Sequence, residues 1–154
     1  MQVVHAFGTP NVSPGKDPPL SIFLAIPPVS AKRLEELRHH LEGRGFDGIV
    51  YVPQSQYGCV RPGTSQLAEF VTWTQRCLSQ AGVIVWSMNK DDAWLSFILG
   101  AFLTSGKIWV TCKMELYTPV MRLILRSAMA HEVPIHETLL EAIDAALCKI
   151  RVIE

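Results

Sequence analysis

Short apolar runs alternate with longer amphipathic stretches along this chain, and the alternation predicts its elements. Gln2–Phe7 reads as a first, edge strand, and Leu20–Ile26 (LSIFLAI) as a strand buried on both faces. Pro27 and Pro28 end that strand. Ser30 then caps a helix with Leu34, Leu37 and Leu41 on one face, and Gly45 closes it. Gly48–Val52 (GIVYV) is the next strand. After the polar connection Pro53–Gly63, Thr64 or Ser65 caps a helix through Gln80. Val83–Trp86 is another buried strand, broken by the polar residues Ser87–Lys90. Asp91 or Asp92 caps a helix carrying Trp94, Leu95, Phe97, Ile98, Ala101 and Phe102, with Gly106 as its stop. Lys107–Cys112 (KIWVTC) is the following strand. Thr118 and Pro119 start a helix over Val120–Ala130. A short strand near Val133–Ile135 and a final helix with Leu139, Leu140, Ile143, Ala146 and Leu147 complete the chain.

About five such alternations predict an α/β domain: a parallel sheet of about five strands with helices on both faces. In open α/β sheets ligands bind at the carboxyl ends of the strands, and the loop Ser87–Asp92 lies at such an end. That loop is the candidate site. Residues 1–19 divide off as an N-terminal strand and a loop rich in proline and glycine, and residues 20–154 as the domain proper.

Composition narrows the partners. The chain has 154 residues, 49% of them hydrophobic and 18% charged, as expected of one domain with a large core. Fourteen basic residues balance fourteen acidic ones, so no overall field favours nucleic acid or an anionic membrane. Cys59, Cys77, Cys112 and Cys148 are scattered without a CxxC pair, which reads as buried thiols of a cytoplasmic protein. The N-terminus carries no signal-peptide pattern. Ala93–Val110 is the stretch nearest to a membrane span, but its Ser, Thr, Gly and Lys residues make it a buried helix plus strand.

Several chemistries are missing. There is no GxGxxG, no GxxxxGK[ST], no GxSxG and no HExxH, and no histidine pair has helical i,i+4 spacing. No cofactor and no metal site are expected. His39 and His40 read as solvated. Asp91 and Asp92 are either helix caps or the polar groups of the site. Trp73, Trp86, Trp94 and Trp109 fit a core, although Trp86 and Trp94 flank the loop and could line a pocket.

The order of short motifs is more informative than any one of them. SIFLA at Ser21–Ala25 is followed by GFDGIVYVP at Gly45–Pro53, Trp73, Leu78 and AGVIVW at Ala81–Trp86. LG at Leu99–Gly100, SGKIWV at Ser105–Val110 and VPIHETLLEAI at Val133–Ile143 follow. From about Leu20 onward this resembles the nucleoside 2-deoxyribosyltransferase-like family. The resemblance implies a flavodoxin-like three-layer sandwich, an oligomer, and a glutamate nucleophile that attacks the anomeric carbon in a pocket also holding the base.

The chain departs from the family pattern where that chemistry resides. Ile26 stands where the family has glycine after FLA, Thr74 where an acid follows the tryptophan, and Gly82 where aspartate precedes the central strand. The nucleophile of the ExG pattern falls on Ile98, which cannot attack carbon. Asp92 keeps the family's interval to that position, and Asp91 or Glu115 are possible substitutes on other alignments.

The expected function is therefore a divergent relative whose glycosyl transfer is lost. Its pocket is repurposed for an apolar or aromatic small molecule, in specialised metabolism. Asp92 and Asp91 are the candidate catalytic residues, and Ile26, Tyr57, Trp86, Asn89, Trp94, Ile98 and Glu115 the candidate ligand-binding ones. A non-catalytic partner or scaffold subunit is the alternative, and an N-glycosidase using a displaced acid the third reading. A homodimer or larger homo-oligomer is expected, because Val120–Ala130 (VMRLILRSAMA) carries only Arg122 and Arg126 as charges.

Overall fold

A computed structural model describes residues 1–9, 20–27, 29–53, 65–87, 93–112 and 119–152, with backbone alone at 65, 93–97, 119–121 and 151–152. The elements, in order, are β1 (Gln2–His5), β2 (Ser21–Ala25), α1 (Ala31–Gly43), β3 (Ile49–Val52), α2 (Ser65–Gln80) and β4 (Val83–Ser87). Then come α3 (Ala93–Phe102), β5 (Ile108–Thr111), α4 (Pro119–Ala130), β6 (Ile135–His136) and α5 (Leu139–Val152).

The described strands form one sheet in the order β1-β3-β2-β4-β5-β6, and every neighbouring pair is parallel. The sheet has six strands where about five were expected. β2–β6 alone give the flavodoxin-like order 2-1-3-4-5, and β1 adds itself outside β3, pairing Gln2 with Ile49 and His5 with Val52. From β2 the chain first goes outward to β3 and then crosses to β4 on the other side. The switch point lies between β2 and β4.

All residues of β2, β3 and β5 are buried, because helices cover both faces and leave no wet side for alternation. Successive residues of each strand therefore serve two separate cores. One joins Phe23, Ala25, Tyr51, Ile84, Trp86 and Val110 to α2, α3 and α4 through Trp73, Cys77, Ile98, Leu99, Leu125 and Ala128. The other joins Ile22, Leu24, Val50, Val85 and Trp109 to α1 and α5 through Leu37, Leu41, Ile143, Ala146 and Leu147. Trp73, Trp86 and Trp109 are all core residues, as read.

Local signals account for most element ends. The Ser30 hydroxyl accepts from the Arg33 N–H at 3.2 Å, and Gly45 takes φ 73° just past the α1 cap. Thr138 and Glu141 form a reciprocal capping box at α5, with bonds of 3.0 and 3.2 Å. α3 stops at Phe102 rather than at Gly106: the Ser105 hydroxyl closes its end by donating to the Phe102 carbonyl at 2.6 Å. Gly106, at φ 67°, instead turns the chain into β5. β6 is displaced to Ile135–His136, since Glu132 and Val133 still cap α4 through the carbonyls of Met129 and Ala128.

His40 is not a solvated residue. Its Nε2 lies 2.8 Å from Asp144 of α5, and the Arg44 guanidinium donates to the same carboxylate at 2.6 Å, so the three clasp α1 to α5. Cys77 and Cys112 are buried as expected, whereas Cys148 is exposed. No described helix is long and apolar enough to cross a membrane.

Candidate functional site

Six parallel strands place their carboxyl ends along one edge of the sheet, and the β2/β4 switch point lies on it, where ligands of open α/β sheets generally bind. The register says which residues meet at that edge. Ala25 pairs with Trp86 and Trp86 with Val110, all facing α2, α3 and α4. One residue further on, Ser87 pairs with Thr111 and Thr111 with His136, facing α1 and α5. Ile26, on the same side, continues this row across the switch point.

Of the residues expected in one pocket, Trp86 and Ile98 do come together in the same core, 1% and 0% exposed. Ile26 does not join them. It belongs to the opposite core with α1 and α5, because it lies an odd number of residues from Phe23 and Ala25 along the strand direction. Trp94 lies in α3, where only its backbone is described. Tyr57, Asn89, Asp91, Asp92 and Glu115 lie outside the described residues. No described cavity is lined by Ile26, Trp86 and Ile98.

The described groups beneath this edge offer no poised nucleophile. Burial pushes the Cys77 thiol up to about 11 and raises Cys112 and the Tyr51 phenol as well, so all three stay neutral near pH 7. Ile98 supplies no carboxylate. Among the described residues no group of three or more His, Cys, Asp or Glu side chains could hold a metal ion.

What the edge does offer is uncharged hydrogen-bonding capacity. Thr111 is 3% exposed, and neither its hydroxyl nor that of Ser87 has a hydrogen bond among the described residues. His136 Nε2 is buried without a partner among the described residues. On the other face the Thr74 hydroxyl, where the resemblance would put an acid, is also buried and without a partner among the described residues. Each such group costs about 1–3 kcal/mol if nothing satisfies it. The Ser87–Thr111–His136 row was missed in the sequence, yet it left a signal: three apolar strands each end on a polar residue, in VIVWS, IWVT and PIH.

No protein-family model and no curated protein matches the chain. Solved structures do. A 2-deoxyribosyltransferase from Bacillus psychrosaccharolyticus matches with a TM-score of 0.52 at 19% identity, covering 79% of this chain and 88% of its own. A conserved protein from Enterococcus faecalis V583 matches with a TM-score of 0.54 at 14% identity, covering 82% of this chain and 98% of its own. At these identities the likeness shows the fold: the chain has the α/β sandwich of a 2-deoxyribosyltransferase.

Proposed function

We propose that this protein carries the 2-deoxyribosyltransferase fold without covalent glycosyl transfer, and binds a small molecule with an apolar or aromatic body at the carboxyl edge between β2 and β4. The observation that carries the reading is Ile98, 0% exposed and packed in one core with Trp86. The resemblance asks for a carboxylate at this position, reaching out to an anomeric carbon. A buried hydrocarbon provides neither nucleophile nor charge to stabilise an oxocarbenium-like transition state.

Retention of a ligand is supported by the polar row. An imidazole nitrogen buried without a partner among the described residues, with the Ser87 and Thr111 hydroxyls in the same row, is what a ligand could satisfy, and Ile26 lies in the core on the same side. Asp91, Asp92, Tyr57, Asn89, Trp94 and Glu115 belong to the proposal as the residues that follow the strands or begin α3. Assembly as a homodimer or larger closed oligomer belongs to it too, supported by Leu123 on α4, 67% exposed.

The test is incubation with deoxynucleosides and a second base, with base exchange followed by chromatography. No exchange is expected. Exchange that is lost with Asp91→Asn or Asp92→Asn would instead establish a displaced acid. A thermal-shift screen of small aromatic compounds should then find ligands whose effect falls in Thr111→Val. One observation favours a second reading, a non-catalytic partner or scaffold subunit: the core around Trp86 and Ile98 is filled. A screen without ligands, together with a stable complex with an active relative, would select that reading.

A further inference from the structure

Away from the carboxyl edge, α4 and the edge strand β6 enclose an open groove of about 680 Å³, lined by Arg122, Leu125, Arg126, Met129, Glu132, Val133 and Ile135. Its size falls in the range of small-molecule sites. Leu125 and Val133, 7% and 8% exposed, form an apolar floor, and Met129 and Ile135 extend it toward solvent. Arg122 and Arg126, one helical turn apart, stand on the same stripe of α4. Neither has an ion pair or hydrogen bond among the described residues, and neither has Glu132 a side-chain partner.

Glu132 lines the same groove and places one carboxylate against the two guanidiniums. It sits at φ 56°, in the left-handed region where glycine is relaxed and a side chain is strained. That conformation closes the C-terminus of α4, where the Glu132 N–H donates to the Met129 carbonyl at 3.0 Å, and it fixes the residue at the end of the groove.

The geometry points to a binding site for an apolar molecule that bears a single carboxylate. Two guanidiniums against one carboxylate leave one surplus positive charge, which a monoanion neutralises. A second copy of this chain in a two-fold contact would bring the same surplus twice and leave it buried. An extended peptide would find little to pair with. The carbonyls of Pro134 and His136 are already turned inward to Val110 and Cys112, at 2.9 and 3.1 Å, so only Ile135 presents its peptide groups outward. Charge and apolar area together therefore favour the small acid.

Isothermal titration of the full chain with octanoate, and with 1-octanol as the uncharged match, tests this. Saturable octanoate binding is expected, and the alcohol should bind at least about tenfold more weakly, the usual scale of a charge-assisted hydrogen bond. Arg122→Gln and Arg126→Gln should each weaken octanoate by a similar factor, and Glu132→Gln should tighten it by removing repulsion. Lys32→Gln, on α1 away from the groove, should leave it unchanged, and all four positions are exposed enough for the variants to fold. Equal binding of acid and alcohol, tighter binding in either arginine variant, or no saturation would overturn the proposal. So would sedimentation showing a dimer that Arg126→Gln dissociates while octanoate is not taken up, since the occupant would then be a second copy.

Discussion

Trp86 pairs with Ala25 across the β2–β4 ladder, and Ile26, the next residue after Ala25, packs in the core on the opposite side of the sheet from Trp86. Trp86 shares its core with Ile98, and Ile26 does not. Truncations in the two cores should therefore act independently. Ile98→Ala should lose about 2–5 kcal/mol, from lost burial and the cavity left behind. Ile26→Ala should lose less, being 6% exposed rather than sealed. Urea denaturation of the double variant should return the sum to within about 0.5 kcal/mol. Coupling well beyond that would mean the two side chains meet after all.

Putting the expected nucleophile back should fail. Ile98→Glu places a carboxyl where no solvent reaches, so it should destabilise at least as much as Ile98→Ala and restore no base exchange. A folded Ile98→Glu protein with measurable exchange would show that the pocket of the resemblance persists beside α3.

Alkaline solution should weaken the fold through its buried thiols. Burial raises the Cys77 thiol from 9.0 to about 11, so between these values the unfolded chain has released a proton that the folded chain retains. Stability is then fully present below about pH 9 and falls as pH rises toward 11. Cys112 and Tyr51, also raised by burial, act in the same direction. Denaturation midpoints compared across this window should fall in the native sequence and fall less steeply in Cys77→Ala. An identical slope in that variant would remove Cys77 from the account.

The clasp between α1 and α5 is partly solvated, so its contribution is modest. Asp144→Ala should cost about 1 kcal/mol, shared between His40 and Arg44. A double-mutant cycle of Arg44→Ala with Asp144→Ala gives the pairwise part, and zero coupling would reduce the contact to surface geometry.

Gly48→Ala should be among the more damaging single-methyl changes. A Cβ there would fall 2.1 Å from the Leu20 carbonyl oxygen and 2.5 Å from the Phe46 ring. The backbone oxygen cannot swing aside, so about 1–3 kcal/mol of overpacking is expected in denaturant melts. Full tolerance would mean that β3 shifts more freely than its register with β1 and β2 implies.

Much of the fold was legible in the sequence because burial on both faces writes plain apolar runs such as SIFLA and VIVW. Ser30 and Gly45 punctuate these runs with recognisable caps, whereas the Thr138–Glu141 box emerged only from the structure. The exact ends of α3 and β6 were not legible. Phe102 and Ser105 close the helix through a side-chain bond that no periodicity announces, and Glu132 extends the α4 cap in a conformation more usual for glycine. The site was harder still. Two residues near each other in sequence order of motifs, Ile26 and Trp86, look like one wall until strand parity separates them. The Ser87–Thr111–His136 row depends on register between strands far apart in the chain, and a single sequence does not display register.

The β2–β4 seam also has a mechanical meaning. Ile22 through Ala25 are laddered to Val83 through Trp86, and below that ladder the Gly82 N–H donates to the Ser21 carbonyl at 3.0 Å. The Ser21 hydroxyl reaches the Gln80 carbonyl at 3.1 Å, and the Asp144 clasp binds the outer helices of the two halves together. Such a stitched joint does not work as a jaw. Opening that joint would unzip the middle of the sheet, so for the ligand proposed above selectivity would rest on side chains rather than on any closing motion of the two halves.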